Sequence, residues 1–257
     1  MKSVYTGGEK VAEFESYDEL RVGDGKPAFI YEGNEIVYPN PVKDGLVLWY
    51  DFSGRTNADT SRGIAEDLSG NGNHGTLQNF NFTEESGYVE DGLKFDGVDD
   101  GVFTRTAESY QSEYSTYEAV LDFRRSSQAY QSIFQRYSFW TDGLFFSGRE
   151  IRTYLALSSG GVSQTVNAPQ DTVFHIVRTV DLSKGAQNIY LNGALINSRT
   201  DLSGTLDEKA NTSNLIVSHQ ANPLSSIVYS LKAYNRPLTP EEIAHNYAIE
   251  KERFNIE

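Results

Sequence analysis

The feature that most constrains the fold is a succession of short strand-like segments, separated by turn residues, that begins near Gly45. Four clear examples cover residues 46–52, 117–123, 153–157 and 173–180. They are rich in the aromatic and β-branched residues that favour strands. The Asn-Gly pair at 192 and 193 separates two further apolar segments and is typical of a type I′ hairpin turn. Many short strands with few helical patterns predict an all-β fold, an antiparallel β-sandwich or jelly roll.

The C-terminus carries the one clear helix signal. Thr239 is suited to the N-cap, Pro240 to the first helical position, and Glu242 three residues after Thr239 completes a capping box. Ile243 and Tyr247 are four residues apart, so both are expected to face the sheet. We therefore predict a helix after the last strand.

The first forty or so residues differ from the rest. Residues 28–38 predict a β-hairpin that turns at 32–35, whereas residues 11–20 alternate only weakly and are strongly acidic. Pro39 and Pro41 then interrupt regular structure. We predict two parts, a hairpin segment at 1–43 and a sandwich with its helix at 44–257. The first part is too short for its own core, and its strand edges are suited to pairing with another chain.

Composition excludes several classes of function. The net charge of −14 argues against nucleic acid and against anionic membrane surfaces, because both need a surplus of Lys and Arg. Cysteine is absent, so disulfides do not contribute to stability. The first residues lack the apolar run of a secretory signal, and no stretch is apolar for the ~18 residues of a membrane span. Divalent cations and neutral glycans remain compatible with this charge.

Several motifs occur in a specific order along residues 45–250. They lie at residues 48–52, 67–75, 93–100, 174–178, 189–193 and 234–243. In this order they resemble the landmarks of the laminin-G-like, concanavalin A-like lectin/glucanase family. One departure is Phe174, where Trp is usual in that family. The resemblance implies a β-sandwich that serves as a binding module.

A second resemblance is to structural proteins of tailed bacteriophages. It rests on residues 36–39 before the sandwich, and on 242–247 and 251–254 after it. It implies a virion or tail component that is made in a host cytoplasm and binds host-surface carbohydrate. It also implies contacts with other virion subunits through the N-terminal segment; homo-oligomerisation stays open. A structural decoration or assembly domain without sugar binding is the alternative, and a glycoside hydrolase is third.

The family resemblance also implies a Ca²⁺ site. Its expected ligands are Asp67, Asn71, Asn73, Asp96 and Asp99. Ca²⁺ takes six to eight oxygen ligands, and carboxylates, amides and carbonyls on glycine-bent loops supply them. The alternative is that the polar side chains at 67–73 only hold their own turn by hydrogen bonds. Tyr229 stands where many relatives carry an Asp, which would weaken such a site.

Aromatic residues suggest where a sugar would bind. Tyr130, Tyr137 and Trp140 lie in or near loop-like stretches with Asp142 close by, and aromatic rings with polar neighbours stack on pyranoses. The alternative is that they are ordinary sandwich residues, since Tyr is common in strands.

No catalytic residue is expected. The nearest pair of carboxylates for glycoside hydrolysis is Glu118 and Asp122, which share a strand face but lack an evident third partner. His175 lies within an apolar strand and is expected to be structural, and His74 lacks a second ligand at zinc spacing.

Overall fold

The structure is a computed structural model. It describes residues 2–6, 9–14, 29–32, 35–89, 91–104, 113–124, 128–138, 140–208, 214–218 and 221–257. The chain forms two compact units, Met1–Pro41 and Val42–Glu257.

The described residues of the first unit form two antiparallel hairpins. β1 (Lys2–Thr6) pairs with β2 (Glu9–Phe14), and β3 (Ile30–Glu32) pairs with β4 (Glu35–Tyr38). The second hairpin is the one predicted at residues 28–38. The first was not predicted, because the alternation of its residues is weak.

The second unit is an antiparallel sandwich, with eight strands in each of its two sheets among the residues that the structure describes, which confirms the predicted fold class. The front sheet has the order β15 (Gly160–Asn167), β14 (Glu150–Leu157), β13 (Asp142–Ser147), β12 (Tyr130–Arg136), β19 (Leu215–Val217), β10 (Gly101–Thr104), β7 (Gly75–Gln78), β6 (Ile64–Ala65). The back sheet has the order β18 (Ala194–Arg199), β17 (Ala186–Leu191), β16 (Val173–Asp181), β11 (Tyr114–Asp122), β20 (Ser225–Tyr234), β9 (Gly92–Asp96), β8 (Gly87–Val89), with β5 (Leu46–Asp51) also paired to β20.

Alternation along the strands builds the core between the sheets. In β14, Ile151 and Leu155 are fully buried, while Arg152 and Tyr154 point to the opposite face and are half-buried. The core is rich in aromatic rings, including a stacked pair, Tyr117 and Phe134, with centroids 5.0 Å apart. Burial of a large apolar side chain stabilises the fold by about 1.5–3 kcal/mol. Because side chains alternate along each strand, each sheet has one core face and one outer face. We call the outer face of the front sheet the front surface, and the outer face of the back sheet the back surface.

The predicted hairpin at Asn192 and Gly193 is confirmed. These two residues join β17 to β18 with φ angles of 48° and 76°. Both angles fall in the left-handed region that a type I′ turn requires at its two central positions.

The predicted helix is also confirmed as α1 (Pro240–Arg253). The Thr239 side chain accepts a hydrogen bond from the Glu242 backbone N–H, and the Glu242 carboxylate accepts one from the Thr239 N–H at 2.9 Å. Ile243 is fully buried, and Tyr247 stacks on His175 of β16 with ring centroids 5.7 Å apart. The helix thus covers part of the back surface. In the described part of the chain, no helix is both long and apolar enough to cross a membrane.

Candidate functional site

The front surface carries a cluster of aromatic rings around Trp140. Phe145 alternates with Leu144 and Phe146 of the core, so its side chain lies on the front surface, where it is fully buried. Trp140 contacts the rings of Tyr130 at 5.5 Å, Phe145 at 5.7 Å and Tyr154 at 5.2 Å between centroids. The arrangement leaves Trp140 44% exposed. We call Tyr130, Trp140, Phe145 and Tyr154 the aromatic cluster.

Three polar atoms on the same surface have no hydrogen-bond partner within the described part of the chain. They are Ser132 Oγ, Gln135 Oε1 and Arg152 Nε. Strand register places Ser132 and Arg152 directly opposite Phe145, and Gln135 opposite Gly143, so all three side chains point to the front surface. A buried polar atom without a partner costs about 1–3 kcal/mol. The front surface therefore combines the exposed ring of Trp140 with polar atoms that are buried beneath it and lack partners among the described residues.

Two of the four predicted sugar-binding residues lie in the aromatic cluster. Tyr130 and Trp140 belong to the aromatic cluster. Tyr137 follows β12, is 56% exposed and has a φ of 60°. Tyr154 and Arg152 were not singled out from the sequence, because strand register, and not proximity along the chain, brings them beside Trp140.

Asp142 requires a correction, since its side chain is fully buried on the core face of the front sheet. Its carboxylate accepts hydrogen bonds from the Tyr117 hydroxyl at 2.6 Å and from the Arg178 guanidinium at 2.5 Å. The Arg178 guanidinium also lies over the Tyr117 ring, 4.3 Å from its centroid. A buried carboxylate of this kind is stabilised by the paired guanidinium and by the hydrogen bonds that it accepts. Asp142 thus supports the core and does not contact a ligand on the front surface.

The predicted calcium ligands do not form one cluster either. Asp67 lies in a turn where one carboxylate oxygen accepts from the Trp49 and Ser69 backbone N–H groups, each at 3.0 Å. The other oxygen accepts from the Ser69 hydroxyl and the Asn73 N–H, each at 2.8 Å. The Asn71 amide donates to the Leu46 carbonyl at 2.9 Å. These bonds tie the turn to β5, as the structural alternative describes.

Asp96 and Asp99 instead form a group with Asp100. Their nearest carboxylate oxygens lie within 4.8 Å of one another. The pKa of Asp100 is raised to about 6, mainly by burial and also by the nearby carboxylates of Asp96 and Asp99, which together outweigh the lowering effect of hydrogen bonds from the Asp96 N–H and the Ser86 hydroxyl. Three carboxylates at this spacing form a donor set that suits a hard divalent cation. In the described residues, Asp67 is not part of this group.

The two carboxylates considered for hydrolysis lie on the back sheet. Glu118 is fully buried beneath α1, 3.0 Å from the Lys232 amine and 3.2 Å from His175 Nε2. Asp122 accepts from the Ile227 N–H at 2.5 Å and from Arg124 at 2.7 Å. Burial raises the pKa of Glu118, but Lys232 and His175 outweigh that effect and lower it to about 2.

A cleft of about 630 Å³ lies at the β8–β9 edge of the back sheet. Its lining includes the cations Arg55, Lys94 and Arg124. These cations pair with carboxylates of Asp59 at 3.4 Å, Glu85 at 3.1 Å and Asp122 at 2.7 Å. Because this pairing offsets their charge, the cleft is a weaker candidate than the front surface.

Comparison with known proteins agrees with this fold. A family model described as the concanavalin A-like lectin/glucanases superfamily matches residues 95–244, more than half of the chain. The matched range begins after the turn at 67–75 that contributes to the resemblance. No curated protein matches the sequence.

Similar solved structures have low sequence identity. The botulinum neurotoxin serotype D binding domain is 15% identical with a TM-score of 0.63, over 81% of this chain and 53% of that one. The receptor-binding domain of the C/D mosaic serotype is 14% identical with a TM-score of 0.62, over 80% and 52%. A Trypanosoma rangeli sialidase is 17% identical with a TM-score of 0.58, over 80% and 33%. This chain therefore spans about half of the toxin domains and a third of the sialidase, and the likeness concerns the fold.

Proposed function

The chain belongs to the concanavalin A-like lectin/glucanase superfamily, and from that premise we propose that it is a non-catalytic module that binds carbohydrate on its front surface. The observation that carries the proposal is the aromatic cluster with the exposed ring of Trp140, beside the partly exposed side chain of Arg152 on the same surface. Sugars bind to proteins through ring stacking and a few polar contacts, and this surface offers both.

Two observations support the absence of catalysis. Glu118 is covered by α1 and paired with Lys232, and Asp122 already accepts a backbone and an Arg124 hydrogen bond. A retaining glycosidase needs two carboxylates about 5–5.5 Å apart, both open to the substrate. Reducing ends released from a cell-wall polysaccharide by the wild type, and lost in Glu118→Gln, would contradict this part of the proposal.

A glycan array with the full chain tests binding. We expect selective retention of neutral glycans by the wild type, weakened at least about tenfold by Trp140→Ala because a stacking ring is removed. Tyr114→Ala is the matched control, since Tyr114 is an exposed aromatic residue on the back sheet. No binding by folded wild type would favour the second candidate, a structural decoration or assembly domain.

We further propose that Ca²⁺ binds at Asp96, Asp99 and Asp100. Support comes from the proximity of their carboxylates. Calcium should raise the melting temperature and EDTA should lower it, and Asp96→Asn combined with Asp99→Asn should remove this response. Identical melting curves with EDTA and with calcium would argue against the ion. Asp67→Ala is the control, because it should destabilise the turn without changing the calcium response.

The biological setting we propose is a bacteriophage virion or tail, where the first unit attaches the protein to other virion subunits or to copies of itself. β1–β2 and β3–β4 are each two-stranded sheets, and such sheets offer strand edges to another chain. A chain starting at Val42 should remain folded, with the melting transition of the sandwich, but should lose assembly in sedimentation. Normal assembly of this shortened chain would place the attachment surface elsewhere.

A further inference from the structure

The front surface contains a glycine whose role neither the fold nor the aromatic cluster by itself explains. Gly161 lies on β15, next to β14, and its φ is not in the left-handed region. The backbone conformation at 161 therefore allows any residue type. The absence of a side chain has to be explained by what occupies the space next to the Gly161 Cα.

That space is taken by Tyr154. Strand register pairs Tyr154 with Ser163, so Gly161 is its diagonal neighbour on the same surface. A Cβ added at Gly161 would overlap the Tyr154 hydroxyl and lie 2.5 Å from the ring atom Cζ. The long axis of Tyr154 therefore runs across β15, along the sheet, and does not project into solvent.

Tyr154 in turn contacts Trp140. Their ring planes are perpendicular, at 90°, with centroids 5.2 Å apart. Trp140 also packs nearly perpendicular to Tyr130, at 75°. The position of the exposed Trp140 ring thus depends on where Tyr154 lies, and the position of Tyr154 depends on the missing side chain at Gly161.

We infer that Gly161 is a positioning residue of the proposed site: it holds Tyr154, and through it Trp140, in the geometry that binds a neutral saccharide. This inference rests on the proposed function. Stacking on a sugar ring needs an aromatic ring that is already fixed, since ordering a mobile side chain on binding reduces affinity.

The charges of the protein favour neutral saccharides over acidic ones. Arg152 is paired with Glu150 at 3.1 Å on the neighbouring part of β14. The whole chain carries −14, which repels polyanions. Uncharged hexose or N-acetylhexosamine chains are therefore favoured over acidic polysaccharides.

The experiment combines two measurements on the full chain. Incorporation of 5-fluorotryptophan gives resonances for Trp49 and Trp140, which Trp140→Phe assigns. Calorimetry then measures binding of neutral oligosaccharides of glucose, galactose, mannose or N-acetylglucosamine. We expect Gly161→Ala to shift the Trp140 resonance and to weaken binding by about tenfold, as for a displaced contact ring. Ser163→Ala, on the same strand and surface, should change neither.

A double-mutant cycle separates positioning from general damage. Tyr154→Ala should weaken binding, and Gly161→Ala in that background should weaken it no further, because no ring remains to be displaced. Additive losses, or a Gly161→Ala protein with wild-type resonance and affinity, would overturn the inference. If the wild type binds no saccharide, the proposed function fails, while the shift of the Trp140 resonance still decides whether Gly161 positions the cluster.

Discussion

The back and front surfaces of the sandwich differ in how extensively their charged groups are joined within the chain. On the back surface, the Lys232 amine donates to Glu118 at 3.0 Å and to Glu250, and the Asn246 amide donates to the second oxygen of Glu118 at 2.7 Å. Arg253 joins Glu250 to Asp51, at 3.0 and 2.7 Å. We call these residues the back network.

On the front surface, the polar atoms of Ser132, Gln135 and Arg152 lack partners among the described residues, and Trp140 is exposed. The difference lies in what covers each sheet. α1 supplies Asn246, Glu250 and Arg253 to the back network, so its charges are satisfied within the chain. The comparison teaches that burial alone does not mark a functional carboxylate: Glu118 is buried because it holds a helix.

The largest expected effect comes from breaking the back network. Lys232→Ala leaves Glu118 buried without its lysine and leaves Glu250 paired with Arg253 alone, which should lower the free energy of unfolding by about 3–5 kcal/mol. Urea denaturation measures the loss. Lys184→Ala, which removes an exposed amine that pairs with Asp181, should change stability by less than about 1 kcal/mol. A loss for Lys232→Ala as small as the loss for Lys184→Ala would mean that the network contributes little to stability.

A smaller effect concerns the pH dependence of the same network. The pKa of Glu118 is lowered to about 2 in the folded protein, below its ordinary value near 4.3. The charged carboxylate therefore stabilises the fold fully above pH ~4.3. That contribution is lost as the pH falls through about 2. Glu118→Gln should be less stable than wild type at pH 6 by roughly 3 kcal/mol. The difference should narrow towards pH 3. A gap that stays constant across this range in urea titrations would show that the carboxylate charge is not responsible.

The smallest expected effect on stability is on the front surface. Arg152→Ala removes a half-exposed pair with Glu150, so the free energy of unfolding should change by less than about 1 kcal/mol. Binding of a neutral glycan should nevertheless weaken, because Arg152 lies opposite Phe145 of the aromatic cluster and its partly exposed guanidinium is able to donate to a sugar hydroxyl. Arg199→Ala, which breaks an exposed pair with Asp201 on the back sheet, should leave binding unchanged. Equal glycan affinities for the two variants would show that Arg152 does not contribute to the binding site.

Local signals in the sequence predicted much of the fold. The capping box at Thr239, the turn at Asn192 and Gly193, and the hairpin near residues 30–38 each depend on a few adjacent residues, so they can be recognised without tertiary structure. The two strands at residues 2–14 escaped prediction because their alternation is weak.

The sequence by itself determined the helix, the turn at Asn192 and Gly193, and many of the strands, although not those at residues 2–14, because these elements depend on local backbone preferences and on alternation. It also identified Trp140 and Tyr130 as candidates for sugar binding. Only the tertiary structure decided which face each side chain occupies: Asp142 lies in the core with Arg178, and Tyr154 joins Trp140 from another strand. The reason is physical, since strand register and bulges set which side chains meet across a sheet, and register depends on the packing of the whole sandwich.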